Sequence, residues 1–151
     1  AYHRRQRQMC IRDSYMGEES IEPFISNPSK GAYVLCRTSN KSSTFIQEEI
    51  YSKVISLCEA LNNQQNIGLV VGATNDDALM QVRNSTDLPF LIPGIGAQGG
   101  DLQSVLKINE NSMDTTLINL SRGIIFSGNK DHDSIRNSAK QYLNQLRGLN
   151  G

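Results

Sequence analysis

Leu91-Ile92-Pro93-Gly94-Ile95-Gly96-Ala97-Gln98-Gly99-Gly100-Asp101 is an apolar run that breaks into a glycine-dense turn and reopens as a helix at Asp101. The pattern is that of a strand-to-helix phosphate cradle. Glycine lacks a Cβ, so the backbone can take positive φ and a ligand can sit against bare N–H groups, while a helix start adds partial positive charge. No Gly-Lys-Ser/Thr follows, as a P-loop would need. A tight turn without a ligand uses the same residue types, so the loop alone leaves both readings open.

Outward from the loop, strands and helices alternate. Ala32–Cys36 (AYVLC) and Ile67–Gly72 (IGLVVG) are continuous apolar runs of strand length, the mark of strands covered on both faces in a parallel sheet. Pro89–Ile92 delivers the glycine loop, and Thr115–Leu120 (TTLINL) is the next strand. Between them, Ile46, Ile50, Val54, Leu57, Cys58 and Leu61 mark the core stripe of a long helix, and Leu102, Val105, Leu106 and Ile108 that of a later one. Ile21, Phe24 and Ile25 form the face of a short helix, while Ile135, Ala139, Tyr142, Leu143 and Leu146 mark a terminal helix stopped at Gly148. Ser43, Thr74 or Asn75, and Asp131 or Asp133 are the expected caps. Asp76 and Asp77 read as partners of a helix dipole rather than an acid–base pair. About four parallel strands alternating with helices make the chain α/β, either half of a barrel or a small doubly wound sheet.

Lys plus Arg and Asp plus Glu both number 15, so no net field draws in nucleic acid or an anionic membrane, and any phosphate site must be local. Cys10, Cys36 and Cys58 are odd in number and form no C-x-x-C, which argues against a disulfide framework and a zinc site and for a reducing cytoplasm. No apolar run approaches the roughly 18 residues of a membrane span.

In a barrel, ligands bind at the C-terminal ends of the strands. Two polar stretches fall there: Arg37–Ser43, with its hydroxyls, and Ser121-Arg122-Gly123, where an arginine beside a glycine suits a bidentate phosphate grip. His132, at the polar start of the last helix, reads as a surface residue.

Four motifs, LIPGIGAQGGD (Leu91–Asp101), LINLSRGII (Leu117–Ile125), GLVVGAT (Gly68–Thr74) and YMGEESIEPF (Tyr15–Phe24), together resemble one family. It is orotidine 5′-phosphate decarboxylase, in its bacterial-type branch, from about Tyr15 to the end. The resemblance implies the C-terminal half of a (β/α)8 TIM barrel, the first half lying outside this sequence, since a complete barrel needs about 250 residues and this chain has 151. It also implies carboxy-lyase chemistry, orotidine 5′-monophosphate to uridine 5′-monophosphate plus CO2 in pyrimidine nucleotide biosynthesis, without metal or cofactor. The family's catalytic Asp/Lys network centres on an Asp-x-Lys-x-x-Asp motif that this sequence does not contain, so no catalytic residue is assigned.

By the same resemblance Thr38 faces the pyrimidine. Pro93, Gly94, Gly96 and Gln98 belong to the loop that closes over base and phosphate, and Asn119, Ser121, Arg122 and Gly123 form the phosphate end. The family is usually homodimeric and cytoplasmic, with a small nucleotide as its partner and neither nucleic acid nor membrane. Two further readings remain: another phosphate-binding barrel enzyme, such as an epimerase or an indole-type lyase, and a phosphate-binding fragment without turnover. Ala1–Ser14, with four arginines and no apolar periodicity, is expected to be a non-native leader outside the fold, leaving 15–151 as the domain.

Overall fold

The computed structural model describes residues 11–96 and 99–148. Its sheet contains β1 (Ile11–Arg12), β2 (Ala32–Arg37), β3 (Ile67–Val71), β4 (Phe90–Ile92) and β5 (Thr116–Ile118), side by side in chain order. Every neighbouring pair is parallel. The helices are α1 (Glu18–Ile25), α2 (Thr44–Leu61), α3 (Asp76–Arg83), α4 (Leu102–Ile108), α5 (Arg122–Ile125) and α6 (His132–Arg147). A doubly wound sheet reverses its strand order at a switch point, whereas a barrel adds each strand beyond the last. The unbroken order here is that of a barrel wall.

The core lies where the apolar runs predict it. All five residues of β3 and all three of β4 are buried, and Leu102, Val105 and Leu106 of α4 are buried with them. β2 departs from the expectation of two covered faces. Ala32, Val34 and Cys36 are buried, but Tyr33 and Leu35, which alternate onto the opposite face, are only half-buried. α2 supplies the cover on the first face, where the Cys36 thiol lies 3.9 Å from the Tyr51 carbonyl. Burial there pushes the thiols of Cys36 and Cys58 up to about 12, so both stay protonated at neutral pH.

Helix ends follow short-range chemistry. Asn75 Oδ1 accepts the Ala78 amide at 3.0 Å and Asp131 Oδ1 the Ser134 amide at 2.7 Å. Ser43 precedes α2 but makes no capping bond with its side chain. The stripe of α2 is shorter than its periodicity predicts: Ile46 is 51% exposed, beside Phe45 at 85%, while Ile55 is buried. On α6 no residue is fully buried, and Leu143 is 42% exposed. Periodicity marks which face is apolar; how much of it is covered depends on what packs there.

The sheet has one strand more than the apolar runs announce, and that strand falls in the segment set aside as a leader. Ile11 and Arg12 pair with Tyr33 and Val34, and the Arg12 guanidinium stacks 4.2 Å from the Phe24 ring. The expectation that this segment contributes nothing to the fold is corrected at these two residues; residues 1–10 lie outside the described residues. Because backbone pairing is sequence-tolerant, a strand of two half-exposed residues can cover the β2 edge without any apolar signature. Removing Ala1–Ser14 is therefore expected to bare that edge and increase self-association. Sedimentation at roughly tens of micromolar, where exposed edges associate, should show larger species than the intact chain gives. Identical profiles would show that β1 protects nothing.

Candidate substrate-binding rim

The loops that leave the C-terminal ends of β2 to β5 are laced together in order. Gly72 N–H donates to the Arg37 carbonyl at 2.8 Å, and Thr74 Oγ1 donates to the Ser39 carbonyl at 2.8 Å. Ala73 N–H donates to the Pro93 carbonyl at 2.9 Å, and Asn119 N–H to the Ile92 carbonyl at 3.0 Å. Buried backbone donors need partners, and here each loop supplies the next. The lacing brings Thr38, Pro93, Gly94, Gly96, Asn119, Ser121, Arg122 and Gly123 to one end of the sheet. Gln98 lies outside the described residues.

Gly94, Gly96 and Gly99 stand at G-x-G-x-x-G spacing, yet the loop they form is closed on itself. Gly96 N–H donates to the Gly100 carbonyl at 2.9 Å, Gly99 N–H to Gly96 at 2.8 Å and Gly100 N–H to Gly94 at 3.1 Å. These three amides are consumed by the turn rather than held bare for an anion. The glycines are needed all the same: φ is +98° at Gly94 and +74° at Gly96, and a Cβ on Gly100 would lie 2.7 Å from that of Ala73. The helix start is also occupied. Asp101 Oδ2 accepts the Ser104 amide at 2.9 Å, a bond that holds its carboxyl below the usual range. A phosphate set directly on α4 would meet that carboxylate, so the dipole of α4 is not the anion site.

Of Arg37, at the end of β2, and Arg122, in the turn after β5, the first is already engaged. Arg37 is 4% exposed, pairs with Glu48 Oε2 at 2.6 Å and lies 5.2 Å from the Tyr51 ring centre. Arg122 is exposed at the first position of α5, and among the described residues nothing pairs with its guanidinium. Among the described side chains, it is a cation on this rim open to a ligand.

The hydroxyls after β2 divide similarly. Gln47 Nε2 donates to Thr38 Oγ1 at 2.8 Å, and the Thr38 hydroxyl in turn donates to Asn40 Oδ1. Gln47 Oε1 also takes the Thr38 amide at 2.8 Å, so this residue is tied into its own loop. Ser39, one of the hydroxyls of this stretch that the sequence did not single out, has no hydrogen-bond partner for its hydroxyl among the described residues, and that oxygen lies against Gly72. Only the glycine opposite it signals the position. Among the described residues no cluster of His, Cys, Asp or Glu is arranged to hold a metal ion, and no helix is long and apolar enough to cross a membrane.

A model of the Orotidine 5′-phosphate decarboxylase / HUMPS family matches residues 3–135. The chain belongs to that family. The orotidine 5′-phosphate decarboxylase of Natronomonas pharaonis is 43% identical over 122 residues, which is 76% of this chain and 45% of the relative. The solved OMP decarboxylase of Leishmania donovani superposes with a TM-score of 0.79 at 35% identity, covering 92% of this chain and 56% of that one. The UMP synthase of the same organism gives 0.82 at 37% identity, with 92% and 32% covered. The chain spans about half the length of the curated relatives it matches. Its parallel strands in unbroken order match part of the TIM barrel of these structures. The family match opens at residue 3, inside the segment that the motifs left out.

Proposed function

We propose that this chain is the substrate-holding half of an orotidine 5′-phosphate decarboxylase, gripping the phosphate and pyrimidine of orotidine 5′-monophosphate while the proton-transfer chemistry resides on strands outside these 151 residues. The observation that carries this is the laced rim with Arg122 free at its end. Family membership supports the substrate class, and the lack of an Asp-x-Lys-x-x-Asp motif supports the division of labour. Arg122, with Asn119, Ser121 and Gly123 beside it, takes the phosphate dianion. Pro93, Gly94, Gly96 and Gln98 form the loop over base and phosphate. Thr38 keeps the base-facing position implied by the resemblance, and Ser39 adds a hydroxyl without a partner among the described residues. Binding energy from the remote phosphate can then be used to order the loops around the reacting ring.

The reaction needs no metal or cofactor in this account, the setting is the cytoplasm, and the complete enzyme is a homodimer. Residues 15–151 form the carboxy-terminal part of one barrel domain, to which Ile11 and Arg12 add a strand along the β2 edge.

The test is CO2 release from carboxyl-labelled orotidine 5′-monophosphate. The purified chain should give none, and activity should appear once the chain is fused to the amino-terminal half of the Natronomonas pharaonis enzyme. Turnover by the chain alone would place the proton donor within these residues. A folded but inert fusion would remove the decarboxylase reading.

A further inference from the structure

The last helix reaches both turns of the proposed phosphate end with a single atom. A Cβ built on Gly96 would lie 2.7 Å from Tyr142 Oη, and one built on Gly123 would lie 2.8 Å from the same oxygen. Gly96 belongs to the loop after β4 and Gly123 to the corner after β5, so the two turns share no local sequence. One helical turn before Tyr142, Ser138 Oγ donates to the Gly123 carbonyl at 2.9 Å. Residues four apart lie on one helix face, so α6 presents a hydroxyl that fastens the Arg122–Gly123 corner and a phenol that stands between that corner and the glycine loop.

Tyr142 is neither a plain core residue nor a hydrogen-bonded strut. It is half-buried against the edge of the core, and its hydroxyl has no hydrogen-bond partner among the described residues. Its oxygen stands where a side chain on either of two glycines would begin. We infer that Tyr142 is a positioning residue: its phenol sets the spacing between the Gly96 turn and the Arg122–Gly123 corner, and so the width of the phosphate site. This rests on the phosphate reading above and adds to it the element that holds the two halves of the site apart. Glycine is required at 123 because a methyl there would strike the phenol oxygen. At Gly96 there is a second reason, since φ is +74°.

The experiment is a double-mutant cycle on the full chain, read both by melting temperature and by titration with uridine 5′-monophosphate against uridine. Gly123→Ala should lower the melting temperature and weaken nucleotide binding about tenfold, as expected when a binding group is moved by a fraction of an ångström, while uridine binding stays as it was. Adding Tyr142→Phe removes the atom that the new methyl strikes, so Gly123→Ala/Tyr142→Phe should recover most of both losses. Gly96→Ala should not be rescued by Tyr142→Phe, because its backbone strain persists.

A Gly123→Ala/Tyr142→Phe chain as impaired as Gly123→Ala would overturn the spacer. So would a nucleotide preference that is present in the wild type and untouched by every variant. A wild type that binds the nucleotide no better than the nucleoside fails the phosphate reading itself, and with it the functional role of Tyr142, even where the stability cycle shows rescue.

Discussion

Fused to the amino-terminal half of a relative, the Arg122→Ala chain should lose about 3 kcal/mol of transition-state stabilisation toward orotidine 5′-monophosphate, roughly two orders of magnitude in kcat/KM. The figure follows from what Arg122 is. Exposed salt bridges contribute little, about 0–1 kcal/mol, because water competes for both partners. An arginine held in the turn after β5 and covered by bound substrate makes a charge-assisted, bidentate contact whose loss costs more. Orotidine, without the phosphate, has no dianion to lose. Wild type and Arg122→Ala should therefore handle the nucleoside at nearly the same low rate. Gln98→Ala should differ, lowering both rates by unequal factors, the outcome expected of the base- and phosphate-facing role proposed for it. Equal losses on nucleotide and nucleoside for Arg122→Ala would mean that the residue supports the barrel, and its phosphate role would be withdrawn.

Phe90→Ala should destabilise the chain by about 3–5 kcal/mol. Domains of ordinary stability hold only about 5–15 kcal/mol in total, so this one change could leave the chain partly unfolded. Phe90 is fully buried at the head of β4, and the Arg83 guanidinium lies 3.4 Å from its ring centre. Arg83 is already costly to bury: its pKa is lowered by desolvation and its Nη2 is buried without a partner. It is kept in place by the ring, by Asn109 Oδ1 at 3.0 Å and by the Leu88 carbonyl at 3.2 Å. Truncating the ring leaves a cavity and also removes the face on which that cation rests. Phe90→Leu keeps most of the volume and should cost less than half as much. Urea midpoints compare the two directly, and a loss below about 1 kcal/mol for Phe90→Ala would show that the head of β4 is not core. Because β4 delivers the glycine loop, the same substitution should blunt nucleotide binding.

Much of this arrangement was legible from residue order alone. β2, β3, β4 and β5 each rest on an apolar run, and Asn75, Asp101 and Asp131 cap their helices as their residue types require. What escaped depends on contacts distant in sequence. β1 carries no apolar run, since Ile11 and Arg12 join the sheet through backbone bonds. The glycine loop looked like a cradle of free amides because sequence cannot show that Gly96, Gly99 and Gly100 spend theirs within the turn. Thr38 drew attention through the family resemblance, while Gln47, nine residues on, engages its hydroxyl. Tyr142 read as one more apolar position on the last helix, and only the closeness of Gly96 and Gly123 to its oxygen gives it another role.

The central claim is that these residues hold a nucleotide by its phosphate without transforming it. Its most direct test is titration of the purified chain with uridine 5′-monophosphate and with uridine, followed through the backbone amides of the loops after β4 and β5. The account predicts saturable nucleotide binding, with shifts centred on Gly96 and on Ser121 to Gly123, at least about tenfold tighter than uridine, a difference of roughly 1.4 kcal/mol. Equal affinities for the two, or shifts confined to some other face, would contradict it.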